Sequence, residues 1–182
     1  MRALFLDRDG VINVDYGYVS SRDRFEFIEG VFDMARFAVF QGYSLFVITN
    51  QAGIARGLYS EEDFQKLMDW VCSEFANHGA SILKVYHCPH HPEYPMDGVP
   101  TYCDCRKPAP GLLLRAAHEF NIDLGSSMMI GDKESDMLAG LAAGVGSLVL
   151  FGTGPGDHRW RRATSMGDIY VLLSNKGVSD SV

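Results

Sequence analysis

The sequence predicts an α/β fold, with a mainly parallel sheet held between two layers of helices. Three observations point to it. Short apolar runs alternate along the chain with longer runs of helical spacing. The short runs are nearly continuous rather than alternating, as expected of strands buried on both faces. Polar clusters rich in Asp, Thr, Asn and Lys follow directly after several of these runs. That is where open parallel sheets bind ligands, beyond the carboxyl ends of their strands.

Taken in order, residues 3–7 read as a first buried strand. GVFDMARFAVFQG has helical apolar spacing and stops at Gly42. YSLFVITN (43–50) is a second strand ending in polar residues. SEEDFQKLMDWVCSEFANHG opens with a Ser cap and acids in its first turn, then runs as an amphipathic helix to Gly79. ILKVYHC (82–88) is a third strand, and residues 89–109, with five prolines, form an irregular loop. PGLLLRAAHEFN is a helix with Pro at its start. SSMMIGD, SDMLAGLAAG and SLVLFG follow as strand, helix and strand, and a short element is expected at 168–174.

At 182 residues, with no repeat or linker, the chain suits one domain over 1–182 with a sizeable core. It is 47% hydrophobic and 21% charged, ordinary for a globular protein. No apolar run approaches the ~20 residues needed to span a bilayer. Acids from position 7 break any signal-peptide pattern, so a cytoplasmic protein is expected. The formal net charge of −7 disfavours nonspecific binding to a polyanion. A small-molecule substrate is expected, with no nucleic-acid or membrane partner and a monomeric state.

The chain opens MRALFLDRDGVIN, and a turn alone does not explain two acids flanking an arginine. Asp7-Arg8-Asp9, Thr49-Asn50-Gln51 and Gly131-Asp132-Lys133 all fall just past expected strand ends, and Lys107 can reach the same edge from its loop. Asp7, Asp9, Asp132 and Asp136 would then converge. One Asp after a strand is ordinarily a turn or cap residue; several separated signals landing on one edge point to a site. Crowded carboxylates repel and retain protons unless a cation joins them. All-oxygen ligands suit Mg²⁺, which is commonly held by one or two carboxylates, waters and a substrate phosphate. Arg106, Lys107 and Lys133 add positive charge for a phosphoryl group, and the Thr49 hydroxyl can hydrogen-bond its oxygens.

Cys88-x-His90 is followed, after twelve intervening residues, by Cys103-x-Cys105. Three thiolates and one imidazole make a closed tetrahedral Zn²⁺ site. His87 and His91 are rivals for the fourth position. The loop, about 87–107, has little apolar material to fold on, so a structural metal would hold Arg106 and Lys107 over the site. Cys72 sits in a helical stretch and reads as a small core residue.

LDRDGVIN, VITNQ, CRKPAPG and GDKESD, in this order, resemble the four motifs of the haloacid dehalogenase superfamily of phosphohydrolases. The resemblance implies a three-layer Rossmann-like fold. It implies Asp7 as nucleophile, forming an aspartyl-phosphate, and Asp9 as general acid and then base. It places Mg²⁺ on Asp7, the backbone carbonyl of Asp9, and Asp132, with Thr49 and Lys107 binding the phosphoryl oxygens. No large insertion separates the motifs, so no bulky cap domain is expected. The zinc loop is similar to that of D-glycero-D-manno-heptose 1,7-bisphosphate 7-phosphatases and bacterial histidinol-phosphate phosphatases. DYGYV at 15–19 and IARG at 54–57 resemble the heptose enzymes, which serve nucleotide-activated heptose synthesis for cell-surface polysaccharide. By that resemblance Asp15, Tyr16, Gly17, Tyr18, Thr49, Asn50, Gln51, Ala52, Arg106, Lys107 and Lys133 contact substrate. Ala52 departs mildly from the small hydroxyl residue that the resemblance leads one to expect there, which bears on one side-chain hydrogen bond but leaves a backbone contact. Arg106 suits a second phosphate, and Asp15, Asn50 and Gln51 suit sugar hydroxyls. The alternatives are another small-molecule phosphatase, with histidinol phosphate the main candidate, a nucleic-acid 3′-phosphatase, and a non-catalytic zinc module. The acidic balance disfavours the nucleic-acid reading, and a module has no need of the nucleophile.

Overall fold

Among the described residues, six parallel strands form one sheet in the order β3-β2-β1-β4-β5-β6. They are β1 (Arg2–Leu6), β2 (Tyr43–Asn50), β3 (Ile82–Cys88), β4 (Met128–Gly131), β5 (Ser147–Phe151) and β6 (Arg161–Ala163). The helices are α1 (Val31–Phe40), α2 (Glu61–Asn77), α3 (Gly111–Phe120), α4 (Glu134–Ala143) and α5 (Met166–Asn175). The computed structural model describes residues 1–94, 103–153 and 157–175.

Side chains alternate across the sheet with period two and build a core on each face. Leu4, Leu6, Leu45, Val47, Met128 and Ile130 face one way. There they meet Met34 and Ala38 of α1, Phe64, Met68 and Phe75 of α2, and Ile169 and Leu173 of α5. Ala3, Phe5, Phe46, Ile48 and Met129 face the other way, onto Leu112 and Ala116 of α3 and Met137 and Ala139 of α4. This is the expected three-layer α/β arrangement with a parallel sheet. Burying both faces explains why the strand sequences are apolar without alternation.

Helix α2 begins as its sequence indicates. Ser60 accepts from the Asp63 backbone N–H, and the Asp63 carboxylate accepts from the Ser60 backbone N–H, a reciprocal cap. α4 ends at Gly144 in the left-handed region, φ 84°.

Two elements were not expected. Residues 22–24 form a single 3-10 turn, and Arg161–Ala163 adds β6 at the sheet edge. β6 has three residues, two of them arginines, so no apolar run announces it. It forms by backbone pairing with β5, Val149 opposite Arg161 and Phe151 opposite Ala163. The final helix starts at Met166, earlier than expected, because Asp168 caps it by accepting from the Thr164 and Ser165 backbone N–H groups. Of the expected 89–109 loop, residues 95–102 lie outside the described residues, as do 154–156 and 176–182 of the tail.

The strand order has a switch at its centre. β1 pairs with β2 on one side and β4 on the other, with Leu4 opposite both Leu45 and Met128. Connections leave β1 and β4 toward opposite sides, which opens a crevice at their carboxyl ends. Every polar cluster singled out above emerges there. No helix among the described residues is long and apolar enough to cross a membrane.

Candidate active site

β1 carries the chain into Asp7, whose backbone N–H still donates to the Ile130 carbonyl at 3.0 Å. That bond extends the central ladder one residue and fixes the Asp7 side chain against β4. The turn that follows needs Gly10 at φ 84°. A Cβ there would lie 2.3 Å from Asp132 Oδ2, so only glycine lets the first loop approach the loop after β4 this closely.

Lys107 enters from the opposite side, buried to 4% exposure. Its Nζ lies 2.9 Å from Asp7 Oδ1 and 2.6 Å from Asp136 Oδ1, and donates to the Ile48 carbonyl at 2.8 Å. The Asn50 amide fixes the Lys107 backbone from both ends, donating to its carbonyl and accepting from its N–H, each at 3.1 Å. Burial alone would drive the ammonium toward losing its proton. Asp7 and Asp136 outweigh that and hold its pKa above the ordinary lysine value.

Asp7, Asp132 and Asp136 offer oxygens within 4.8 Å of one another. Lys107 answers Asp7 and Asp136. Asp132 keeps one buried oxygen, Oδ1, with no hydrogen-bond partner. Burial first, then the neighbouring Asp7 carboxylate, push the Asp132 pKa up to about 7. A lone buried carboxylate oxygen beside a second carboxylate is a seat for a hard divalent cation. The residues present fit Mg²⁺.

Asp9 points toward the cleft from the same loop. Its Oδ1 accepts from Asn13 Nδ2 at 3.1 Å, and its Oδ2 accepts from Gln51 Nε2 at 3.2 Å. Burial raises its pKa; Arg8 opposes this and Asp7 adds to it. The arrangement favours a carboxyl that holds its proton longer than an exposed aspartate. Arg8 is wholly buried; it donates to the Val19 carbonyl at 2.8 Å and to Gln51 Oε1 at 2.7 Å, and pairs with Asp9 Oδ1 at 3.3 Å. Tyr59 also donates to Gln51 Oε1, at 2.6 Å. Those two donors turn the Gln51 amide so that its Nε2 serves Asp9 and, at 2.8 Å, Thr49 Oγ1.

Gln51 and Asn50, which both line the cleft, also have structural work. Both amides are engaged within the protein, one holding Asp9 and Thr49, the other Lys107. Sequence reading also passed over Arg8, Asn13 and Tyr59. Arg8 carried a usable signal, being a charge enclosed by two acids immediately after an apolar strand.

A cleft of about 660 Å³ opens above these groups, lined by Asp9, Asp15, Gly17, Tyr18, Asn50, Gln51, Ala52, Tyr59, Arg106, Lys107 and Lys133 among others. Lys133 Nζ donates to Asp15 Oδ2 at 3.1 Å across its mouth. Tyr16 does not line the cleft; its hydroxyl bonds to Glu26, and its ring borders a separate surface depression.

Cys88, His90, Cys103 and Cys105 converge at one end of the cleft. No disulfide joins them among the described residues. Cys88 Sγ lies 3.7 Å from His90 Nδ1, 3.6 Å from Cys103 Sγ and 3.1 Å from Cys105 Sγ, and Cys105 Sγ lies 3.4 Å from His90 Nδ1. A tetrahedron with Zn–S bonds of about 2.3 Å has edges of about 3.8 Å, slightly shorter to nitrogen. The four donor atoms thus sit close to the corners of such a site. His87 instead pairs with Glu61, and His91 accepts from the Glu93 backbone N–H. The Arg106 guanidinium donates to the His90 carbonyl at 3.1 Å, which ties it to the cluster.

A carboxylate facing a buried lysine, a second carboxyl two residues on and a cluster of three aspartates at the switch of a parallel sheet are the arrangement of a phosphohydrolase of the haloacid dehalogenase type. A family profile described as HAD-hydrolase-like matches residues 104–172. A D-glycero-alpha-D-manno-heptose-1,7-bisphosphate 7-phosphatase of Burkholderia mallei is 53% identical over 82% of this chain and 79% of its own. The beta-anomer enzyme of Escherichia coli K12 is 49% identical over 84% of this chain and 80% of its own. Among solved structures, a D,D-heptose 1,7-bisphosphate phosphatase from B. bronchiseptica, complexed with magnesium and phosphate, has a TM-score of 0.83. It is 27% identical over 97% of this chain and 99% of that one. The chain belongs to the D-glycero-D-manno-heptose 1,7-bisphosphate 7-phosphatase family of HAD-like phosphoric monoester hydrolases.

Proposed function

We propose that this protein hydrolyses the C7 phosphate of D-glycero-D-manno-heptose 1,7-bisphosphate in two steps through Asp7. The observation that carries the reading is the buried Lys107, held 2.9 Å from Asp7, with the protonatable Asp9 two residues further on. Asp7 attacks phosphorus while the bond from phosphorus to the sugar oxygen breaks. Asp9 gives its proton to that leaving oxygen. Water then attacks the aspartyl-phosphate, loses a proton to Asp9, and releases inorganic phosphate and free Asp7. Lys107 and the Thr49 hydroxyl hold the phosphoryl oxygens as charge redistributes.

Mg²⁺ on Asp7, Asp132 and the Asp9 carbonyl would neutralise phosphoryl charge. Zn²⁺ on Cys88, His90, Cys103 and Cys105 would be structural, setting Arg106 toward the second phosphate. Arg106, Lys133 and the 15–18 loop surround the space left for the sugar. In this reading the protein acts in the cytoplasm and supplies nucleotide-activated heptose synthesis.

The relatives favour heptose bisphosphate over histidinol phosphate. The test compares kcat/KM for the two substrates, with heptose bisphosphate expected to be about a hundredfold or more better. Equal or better use of histidinol phosphate overturns the assignment. The same assay on the two C1 anomers, both represented among the relatives, assigns the configuration.

A further inference from the structure

Arg56 lies beyond the cleft lining, yet it joins three loops that surround the cleft. Its guanidinium stacks over the Tyr94 ring at 4.6 Å and faces the Tyr18 ring at 5.4 Å. Its NH1 donates to the Tyr18 hydroxyl, and its NH2 donates to the Tyr94 hydroxyl at 3.1 Å. Tyr18 belongs to the loop after β1 and lines the cleft. Tyr94 follows His90 in the Cys/His loop.

Two further observations show that this contact matters. Tyr18 sits at φ 51°, a left-handed conformation rarely adopted by a bulky residue and kept only where surroundings enforce it. The loop carrying Arg56 is also bound by its backbone to the residues beside the cluster. The Gln51 N–H donates to the Cys88 carbonyl at 2.7 Å, and the Ala55 N–H to the Pro89 carbonyl at 3.2 Å.

We propose that Arg56 is a positioning residue that clasps Tyr18 to the Cys/His loop and so fixes the wall facing the non-reacting end of the sugar phosphate. The planar guanidinium can reach two hydroxyls and two ring faces at once; an ammonium cannot. This deepens the functional reading above and rests on it for the identity of the substrate. It also gives the metal loop a second line of influence on the cleft, separate from Arg106.

The test uses the full-length, zinc-loaded protein, with zinc content measured for each variant. In Arg56→Ala, KM for heptose bisphosphate is expected to rise about tenfold with kcat within about twofold, a loss of uniform binding. kcat/KM for p-nitrophenyl phosphate, which has no sugar to place, should fall by no more than about twofold. Arg56→Lys should recover little of the loss. Chymotryptic cleavage after Tyr18, followed by mass spectrometry without substrate, should accelerate several-fold in Arg56→Ala. Chelating zinc from the wild type should produce the same acceleration. Full recovery by Arg56→Lys would make Arg56 a simple charge and overturn the clasp. So would unchanged cleavage after Tyr18, or parallel losses on both substrates. A wild type that uses heptose bisphosphate no better than p-nitrophenyl phosphate would refute the substrate, and the cleavage rates would still decide the clasp.

Discussion

Asp7 and Asp9 leave the same strand two residues apart and meet different surroundings. Asp7 faces Lys107, while Asp9 lies beside Arg8 and takes one amide hydrogen bond on each oxygen. Burial nonetheless raises the Asp9 pKa, so it can carry a proton. Asp7→Asn and Asp9→Asn should each lower turnover by about a thousandfold or more. Thermal midpoints should stay within a few degrees of the wild type, measured by calorimetry. Near-normal turnover in Asp7→Asn would end the covalent mechanism. Asp132 makes a different prediction. Unfolded, it loses its proton near ~3.9; folded and metal-free, near about 7. The folded state therefore binds more protons across that interval, so this residue's contribution to stability falls as pH rises from about 4 to about 7. Metal-free protein should show that decline in its unfolding midpoint, Asp132→Asn should flatten it, and added Mg²⁺ should raise the midpoint most at pH 8. The acids themselves were legible because a carboxylate after a buried strand is conspicuous. Their supports were not. Asn13 and Tyr59 are ordinary letters until the fold brings them to Asp9 and Gln51.

At the scale of elements, sequence and structure agree most closely where a segment is long, apolar and punctuated. β2 and β3 have the expected limits, and α2 starts behind Ser60 with three acids in its first turn. Ser60→Ala removes one side of the reciprocal cap and should cost about 1 kcal/mol in chemical denaturation. β6 shows the opposite case. An edge strand of three residues needs only backbone partners, so its sequence carries no hydrophobic signature. The loop between β2 and α2 was legible in composition but not in conformation. Gly53 is required there because a Cβ would lie 2.1 Å from the Tyr59 ring, the ring that orients Gln51.

Over the whole molecule, two clusters of metal-ligating side chains stand apart, and in the proposed reading they divide the labour. The carboxylate seat lies at the centre of the sheet, and the Cys/His cluster lies at one end of the cleft, bonded to Arg106 through the His90 carbonyl. Cys103→Ser should lose zinc by metal analysis and raise KM for the bisphosphate about tenfold or more, while single-turnover phosphorylation of Asp7 at saturation changes little. A fall in that chemical step equal to the rise in KM would show that the cluster acts on the nucleophile instead. The spacing of Cys88, His90, Cys103 and Cys105 made the grouping readable, and the fold brings these four together. His87 and His91 have other partners, Glu61 and the Glu93 backbone, which spacing alone does not show.

The adjacency of β1 and β4, strands more than 120 residues apart in the chain, has a consequence for biosynthesis. A ribosome-bound polypeptide carries Asp7 long before Asp132 and Asp136 have been translated, and a nick in the connecting segment leaves them on separate pieces. Such precursors and fragments hold Asp7 without the two acids that share its cluster. The carboxylate cluster is therefore assembled late, complete only when the fourth strand slots in beside the first.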